Sequence, residues 1–256
     1  MDPTVTYSTR YGSVTLYSNE MYIGEVFRQG GYWEEDALLA LKPYIDPNRN
    51  VLEIGGHCGT STLIYASFLN EGAKVYVLEP QQRMFDLLVK NINDNHLTDK
   101  IIPIRNGAFC YTGSGHMNDV DVDGKGHMVS ACYDNPRLPC NFGGISLGGQ
   151  GEPIELTTVD DLKVPNVGFI HCDAQGAEPY IFSHAVHTLL QHRPVVYYEN
   201  NRDNYLHEKV KQNYPAWIWQ SNFDVASFCQ ATMNYHYLPR FHGLDDLLIP
   251  PRIEHN

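Results

Sequence analysis

A chain of 256 residues, 43% hydrophobic and 19% charged, has the makeup of one globular domain with a sizeable core, and no apolar run in it reaches the length of a membrane span. The formal net charge of −12, from 18 Lys and Arg against 30 Asp and Glu, argues against a nucleic-acid partner, whose phosphates are held by basic side chains, and for a neutral polar small-molecule substrate. The six cysteines (Cys58, Cys110, Cys132, Cys140, Cys172, Cys229) form no C-x-x-C pair and the start Met1-Asp2-Pro3-Thr4 is polar, so the expectation is a cytoplasmic protein with reduced thiols, without a zinc site, disulfide frame or signal peptide.

Residues 1–50 read as an N-terminal cap on a single domain spanning 1–256. Val5 to Thr9 and Ser13 to Tyr17 suggest a hairpin around Arg10-Tyr11-Gly12. Met21 to Phe27 is ambiguous between helix and strand. Trp33-Glu34-Glu35 opens an amphipathic helix through Leu38, Leu39 and Leu41 to Tyr44. Then strands and helices alternate: strand 51–54, helix 59–70, strand Lys74 to Glu79, a helix carrying Met84, Leu87, Leu88 and Ile92, and strand Ile101 to Arg105. After an interruption come strand Val167 to Cys172, helix Gly176 to His192, strand Val195 to Glu199, helix Tyr205 to Tyr214 and a last strand Asp245 to Ile249. Such alternation implies a mostly parallel sheet with helices on both faces, an α/β Rossmann-like architecture. The interruption, 111–157, is rich in Gly, Asp and Asn without helical period; it is expected to be a substrate-facing insertion holding one hairpin at most.

The stretch Val51-Leu52-Glu53-Ile54-Gly55-Gly56-His57-Cys58-Gly59-Thr60 organises the chain. It reads as a buried strand, a glycine turn and a helix start, with Gly55 and Gly59 allowing a ligand close to backbone and with Thr60, Ser61 and Thr62 as cap-type hydroxyls. The dinucleotide pattern G-x-G-x-x-G fails, because His57 holds its middle glycine position. The spacing Glu53-x-Gly55-x-x-x-Gly59 resembles motif I of class I S-adenosylmethionine (SAM) methyltransferases. A carboxylate at the strand end suits a cofactor carrying an ammonium and a sulfonium better than one carrying pyrophosphate. Glu79 ends the second core strand 24 residues after Gly55, where one carboxylate accepts from both ribose hydroxyls. Asn106-Gly107-Ala108 follows the third strand, where adenine would lie. The cofactor set is therefore Glu53, Gly55, Gly56, His57, Gly59, Thr60, Glu79, Asn106, Gly107, Ala108 and Asp173.

Phe169-Ile170-His171-Cys172-Asp173-Ala174-Gln175-Gly176-Ala177-Glu178 resembles the FkbM-type methyltransferase hallmark I-K-I-D-V-E-G-A-E, with His171 for its Lys and Gln175 for its Glu. Thr158-Val159-Asp160-Asp161-Leu162 is similar to that family's T-x-D-D-L, Asn141 to Leu147 to its N-x-G-G-x-S-L, and Asp246 to Pro250 to its terminal strand. The resemblance covers roughly residues 20–250. It implies the class I methyltransferase fold and SAM-dependent O-methylation of a sugar, glycan or other secondary-metabolite hydroxyl. A nucleic-acid 2′-O-methyltransferase and a noncatalytic glycan-binding protein are the alternatives; the first lacks a basic groove, the second leaves Glu53, Gly55, Gly59 and Glu79 without purpose.

O-methylation needs alignment of a hydroxyl with the methyl group and a group to take its proton. Asp173, His171 and Glu199 are the catalytic candidates, Asp173 foremost; His57, Glu178, Asn200 and Asn141 are candidates for substrate contact. Strand alternation points His171 and Asp173 to one face. Asp173, Glu199 and Asn200, at the ends of neighbouring strands, are also similar to the magnesium ligands of catechol-type O-methyltransferases and would suit Mg²⁺ or Mn²⁺, although Gly176 stands where those enzymes place a lysine base. Three other patterns have plainer readings. Asp119 to Gly124 copies half of a calcium loop, but its twelfth position is Ser130. His184 and His187 lack a third ligand. Trp33, Trp217 and Trp219 could stack on a sugar, with core packing the default.

Overall fold

Strands β1 (Thr4–Thr9) and β2 (Gly12–Tyr17) form the expected antiparallel hairpin in the computed structural model, which describes residues 3–200 and 223–251. The ambiguous stretch that follows is a helix, α1 (Tyr22–Arg28), burying Ile23 and Phe27. Helix α2 (Glu35–Leu41) buries Ala37, Leu38 and Leu41, then tightens into a 3₁₀ turn at Lys42–Tyr44, where Pro43 removes an amide donor.

The core alternates as the pattern implied: β3 (Asn50–Ile54), α3 (Thr60–Phe68), β4 (Val75–Leu78), α4 (Gln82–Asp94) and β5 (Ile101–Ile104). Every residue of β3 is buried, Glu53 included, because β3 is a central strand with neighbours on both sides. Helix α4 turns Met84, Leu87, Leu88, Asn91 and Ile92 inward. Asn91 is a buried polar staple: its amide donates to the Thr15 and Cys58 carbonyls and its oxygen accepts from the Thr15 N–H. Asn95 repeats the pairing at Ser13, so two amide side chains on α4 bond to the edge of the hairpin.

After β5 the chain leaves the main sheet. Strands β6 (Gly107–Ala108) and β7 (Gly113–Met117), helix α5 (Val129–Asp134), then β8 (Leu147–Gly148) and β9 (Pro153–Thr157) build a second sheet of four strands, ordered β6-β9-β7-β8. Residues 111–157 are therefore more regular than composition suggested. Their helix is six residues and one strand two, too short for a period to register, and their pairings join distant positions such as Ser114 and Glu155.

Helix α6 (Val159–Leu162), capped by the Thr158 hydroxyl, leads to β10 (Val167–Cys172), buried throughout. The single helix expected over 176–192 is two: α7 (Glu178–Ser183) and α8 (Val186–His192). Asp160 makes the break. Its carboxylate accepts from the His187 and Thr188 N–H groups and the Thr188 hydroxyl, capping α8 from outside the segment. His184 and His187 thus fall on either side of a break. Strand β11 (Val195–Glu199) follows; the expected helix over 205–214 lies outside the described residues. Helix α9 (Val225–Met233) and strand β12 (His236–His242) were not foreseen. Strand β12 contains Pro239 and an irregular register, both tolerated because it is an edge strand. Strand β13 (Asp245–Ile249) lies where expected.

The main sheet is ordered β12-β13-β11-β10-β3-β4-β5, parallel except for β13, which runs against both neighbours. This is the expected Rossmann-like α/β fold, a mostly parallel sheet with helices on both faces. From β3 the order steps outward to β4 and β5, while β10 and β11 step the other way. Right-handed crossovers therefore place the two sets of helices on opposite faces and open a crevice at the carboxyl ends of β3 and β10. All six cysteines are free. Among the described residues no helix is long and apolar enough to cross a membrane.

Candidate active site

A cavity of about 450 Å³ lies over that crevice. The strand ends form its floor: Gly55, Gly56 and His57 after β3, Glu79 after β4, Asn106 to Ala108 after β5, Asp173 after β10 and Glu199 at the end of β11. The cap contributes Tyr22, Ile23, Trp33 and Glu34, and the second sheet with its connections contributes Met117, Asp123, Asn141 and Leu147. Trp33 both packs against the core and lines the cavity, and Glu34 beside it carries no sequence signal of its own. Trp217 and Trp219 lie outside the described residues.

The glycine turn is dictated by the protein's own packing. Gly55 has φ +90°, and a Cβ there would meet the Asp173 carbonyl oxygen at 1.9 Å. Gly59, also with positive φ, faces a Leu88 methyl and does not line the cavity. The turn brings His57 into the left-handed region at φ +48°. Its ring is 9% exposed, both nitrogens lack a hydrogen-bond partner, and Glu20 Oε2 lies 4.0 Å from Nε2. Burial pushes His57 down to about 4, so the ring is neutral at physiological pH.

Glu79 is 3% exposed and holds the turn: Oε2 accepts from the His57 N–H at 2.9 Å and Oε1 from the Gln81 N–H at 2.8 Å. Burial pushes it up to about 7 against the pull of those donors. Gln81, another residue the sequence did not flag, donates to the Phe142 carbonyl at 3.1 Å and so ties the β4 end to the insertion. Buried Glu20 does the same from the cap, accepting from the Tyr22 and Phe142 N–H groups.

Glu53 lies beneath the cavity without lining it. Its carboxylate accepts from the Ser61 hydroxyl and, at 2.6 Å, from the Thr62 hydroxyl. These side chains, expected to cap α3, make no cap bond. Glu53 Oε1 also sits 3.9 Å from His171 Nδ1. Burial works against the His171 proton, but the nearby Glu53 carboxylate outweighs it and raises the imidazole above its usual value.

Asp173 and Glu199 converge as neighbouring strand ends should, and both line the cavity. The Asn200 amide nitrogen donates to Asp246, as do the Tyr198 and Tyr237 hydroxyls. Glu178 takes the third place. One oxygen of each of Asp173, Glu178 and Glu199 lies within 4.8 Å of the others. Burial pushes Glu178 up to about 8, against the Ala174 N–H that it accepts at 2.7 Å. Asp173 and Glu199 of the expected metal set thus lie together, with Glu178 as the third carboxylate beside them. The half calcium loop is also a structural turn: Asp121 Oδ2 accepts from the Lys125 and Asn141 N–H groups.

Of the residues singled out from sequence, Gly55, Gly56, His57, Thr60, Glu79, Asn106, Gly107, Ala108, Asn141, His171, Asp173 and Glu199 line one cavity; Glu53, Gly59, Glu178 and Asn200 stand behind its wall. Asn141 serves that wall as well, accepting from the Gly144 N–H to cap a 3₁₀ turn.

No protein-family model matches the chain, and no curated protein sequence matches it. Among solved structures it is similar to methyltransferase FkbM from Methylobacillus flagellatus KT, at 14% identity and TM-score 0.48, over 79% of this chain but 44% of that one. It is similar to an O-methyltransferase from Bacillus cereus in complex with S-adenosylhomocysteine (SAH), at 18% identity and TM-score 0.44, over 83% and 78% of the two chains. It is also similar to a tRNA (uracil-54, C5)-methyltransferase from Pyrococcus abyssi in complex with SAH, at 7% identity and TM-score 0.45, over 96% and 44%. The chain spans less than half the length of the first and third. With likeness at this level, the chemistry of the site has to be read from its own residues.

Proposed function

We propose that the protein is a SAM-dependent O-methyltransferase acting on a hydroxyl of a sugar or glycan. The observation that carries this reading is the placement of Glu79, Asn106-Gly107-Ala108, the Gly55-Gly56-His57 turn and Asp173 around one cavity at the carboxyl edge of the sheet. Each Glu79 oxygen accepts one backbone donor and keeps a lone pair for a ribose hydroxyl. Asn106, Gly107 and Ala108 line the cavity beyond Glu79, where an adenine edge would lie. The carbohydrate acceptor follows from the FkbM-type resemblance. The absence of Lys and Arg from the cavity lining, among the described residues, supports it over a nucleic acid.

Bound SAM would supply an electrophilic methyl on a sulfonium. Asp173 sits where the acceptor hydroxyl must approach, held by a bond from the Gln175 amide at 2.8 Å. It takes the hydroxyl proton as the new C–O bond forms and the S–C bond breaks. Glu199 orients the same hydroxyl from the next strand. Burial favours the protonated form of Glu178, so this side chain adds little charge beside Asp173 and Glu199.

Transfer of a labelled methyl group from SAM to candidate glycans tests the reading, with SAM affinity followed by calorimetry. Asp173→Asn is expected to lose about 100-fold or more in transfer while keeping SAM affinity. A chelator is expected to change neither. Full transfer by Asp173→Asn would exclude the base; loss on chelation, restored by magnesium, would reinstate a metal.

A further inference from the structure

The fold leaves the polar atoms of one cavity-lining residue unpaired. His57 is 9% exposed, and neither Nδ1 nor Nε2 has a hydrogen-bond partner; Glu20 Oε2, 4.0 Å from Nε2, is too far away to accept from it. A buried polar group without a partner costs free energy, so a ring left this way against a cavity is one that a ligand completes.

The ring is placed before any ligand arrives. The His57 N–H is bonded to Glu79 at 2.9 Å, and the backbone sits at φ +48°. Gly143, from the insertion, lies beside it. A Cβ on Gly143 would stand 3.9 Å from His57 Cδ2, 3.7 Å from Ile23 Cδ1 and 3.8 Å from Asn141 Oδ1, all ordinary contact distances. Unlike Gly55, Gly143 has neither a positive φ nor a clash that would require a bare backbone. What its missing side chain leaves is room next to the imidazole. Asn141 borders the same room, and because its oxygen accepts from the Gly144 N–H, its amide nitrogen is not spent on that turn.

Burial keeps the imidazole neutral at physiological pH. A neutral imidazole has one N–H and one bare nitrogen. A carboxylate or phosphate only accepts and an ammonium only donates, so each would satisfy one end of the ring and leave the other orphaned. A compound with neighbouring hydroxyls satisfies both ends, because each hydroxyl donates or accepts as required.

We infer that the pocket between α1 of the cap and the Phe142–Gly144 turn is a subsite for an uncharged polyhydroxyl ligand, with His57 as its specificity-determining residue and Gly143 as the gap that admits it. Two molecules of the reaction proposed above carry such hydroxyls: the acceptor sugar and the ribose of the cofactor. The inference rests on that reading for these two sources; the donor–acceptor match rests on the ring alone.

Long-range ¹H–¹⁵N NMR of the full chain at neutral pH reads the two ring nitrogens of His57 directly. In the free protein one protonated and one bare nitrogen are expected. SAH is added first, and the SAH-saturated protein is then titrated with glucose, galactose and mannose; the bare-nitrogen signal is expected to move. Movement with SAH alone assigns the subsite to the ribose, and movement only when a sugar follows assigns it to the acceptor. For the ligand that moves the signal, two variants are expected to weaken binding about threefold to tenfold in calorimetry: His57→Asn, which tolerates the left-handed backbone, and Gly143→Ala, which fills the gap. Two protonated nitrogens in the free protein, no movement with SAH or with any of the three sugars, or unchanged affinity in Gly143→Ala overturns the inference. Sugar titration of the free protein separates the two readings. A His57 response to sugar in a protein that binds no SAH would overturn the methyltransferase and keep the subsite; methyl transfer from SAM with a His57 that never responds would do the reverse.

Discussion

Glu79 shows how much one side chain does in this site. It anchors the backbone of the glycine turn through the His57 N–H, and its remaining lone pairs face the cavity. Burial holds its proton up to about 7. Ribose hydroxyls donate to the ionised form, so cofactor binding must lower that value and release a proton. SAH affinity is therefore expected to rise as pH rises from about 6 to about 8, with proton release visible when the calorimetry is repeated in buffers of different ionisation enthalpy. Glu79→Gln should remove the pH dependence and weaken binding by roughly 1.5–3 kcal/mol. An affinity indifferent to pH in the wild type would count against the ribose contact. His57 cannot produce this trend, because burial keeps it neutral down to about pH 4.

Among the elements, the break between α7 and α8 is the one that sequence periodicity concealed. The apolar spacing runs through it, since Ile181, Phe182, Ala185 and Leu189 are all buried. The stop comes instead from Asp160, which takes over the first amides of α8 from across the chain. Asp160→Ala is expected to cost about 1–2 kcal/mol in chemical denaturation, as the loss of a helix cap does. Thr188→Val, which removes only the hydroxyl partner, should cost less. If Asp160→Ala were neutral, water would have to satisfy those amides equally well and the cap would be incidental. Glu178 opens α7 on the other side of the break, where it accepts from the Ala174 N–H.

For the molecule as a whole, the cavity is a store of buried acids. Glu20 and Glu79 are raised to about 7 and Glu178 to about 8, all chiefly by burial. Each keeps its proton in the fold at a pH where the unfolded chain has lost it, so its stabilising contribution is complete below about pH 4.5 and fades as pH rises through 7 to 8. His57, lowered by burial, opposes this only below about pH 6.5. The melting temperature of the ligand-free protein is thus expected to fall between about pH 6.5 and 8.5 in differential scanning calorimetry, and a rise over that window would sink the assignment of these acids as buried and protonated. What the sequence by itself determined was the central layer: β3, β10, β11 and β13 lie within a residue of where their apolar runs placed them, because a strand buried on both faces must be apolar along its length. The strand-end residues Glu79, Asp173 and Glu199 were legible for the same reason, since they close those runs. Tertiary structure alone decided which acids meet. Glu178 came beside Asp173 and Glu199 from the helix that follows β10, and Glu34 reached the cavity from a cap that no local pattern connects to it. Periodicity reports which way a side chain faces within its own element; the partner it finds depends on strand order and on loops closing over distances that a single sequence does not encode locally.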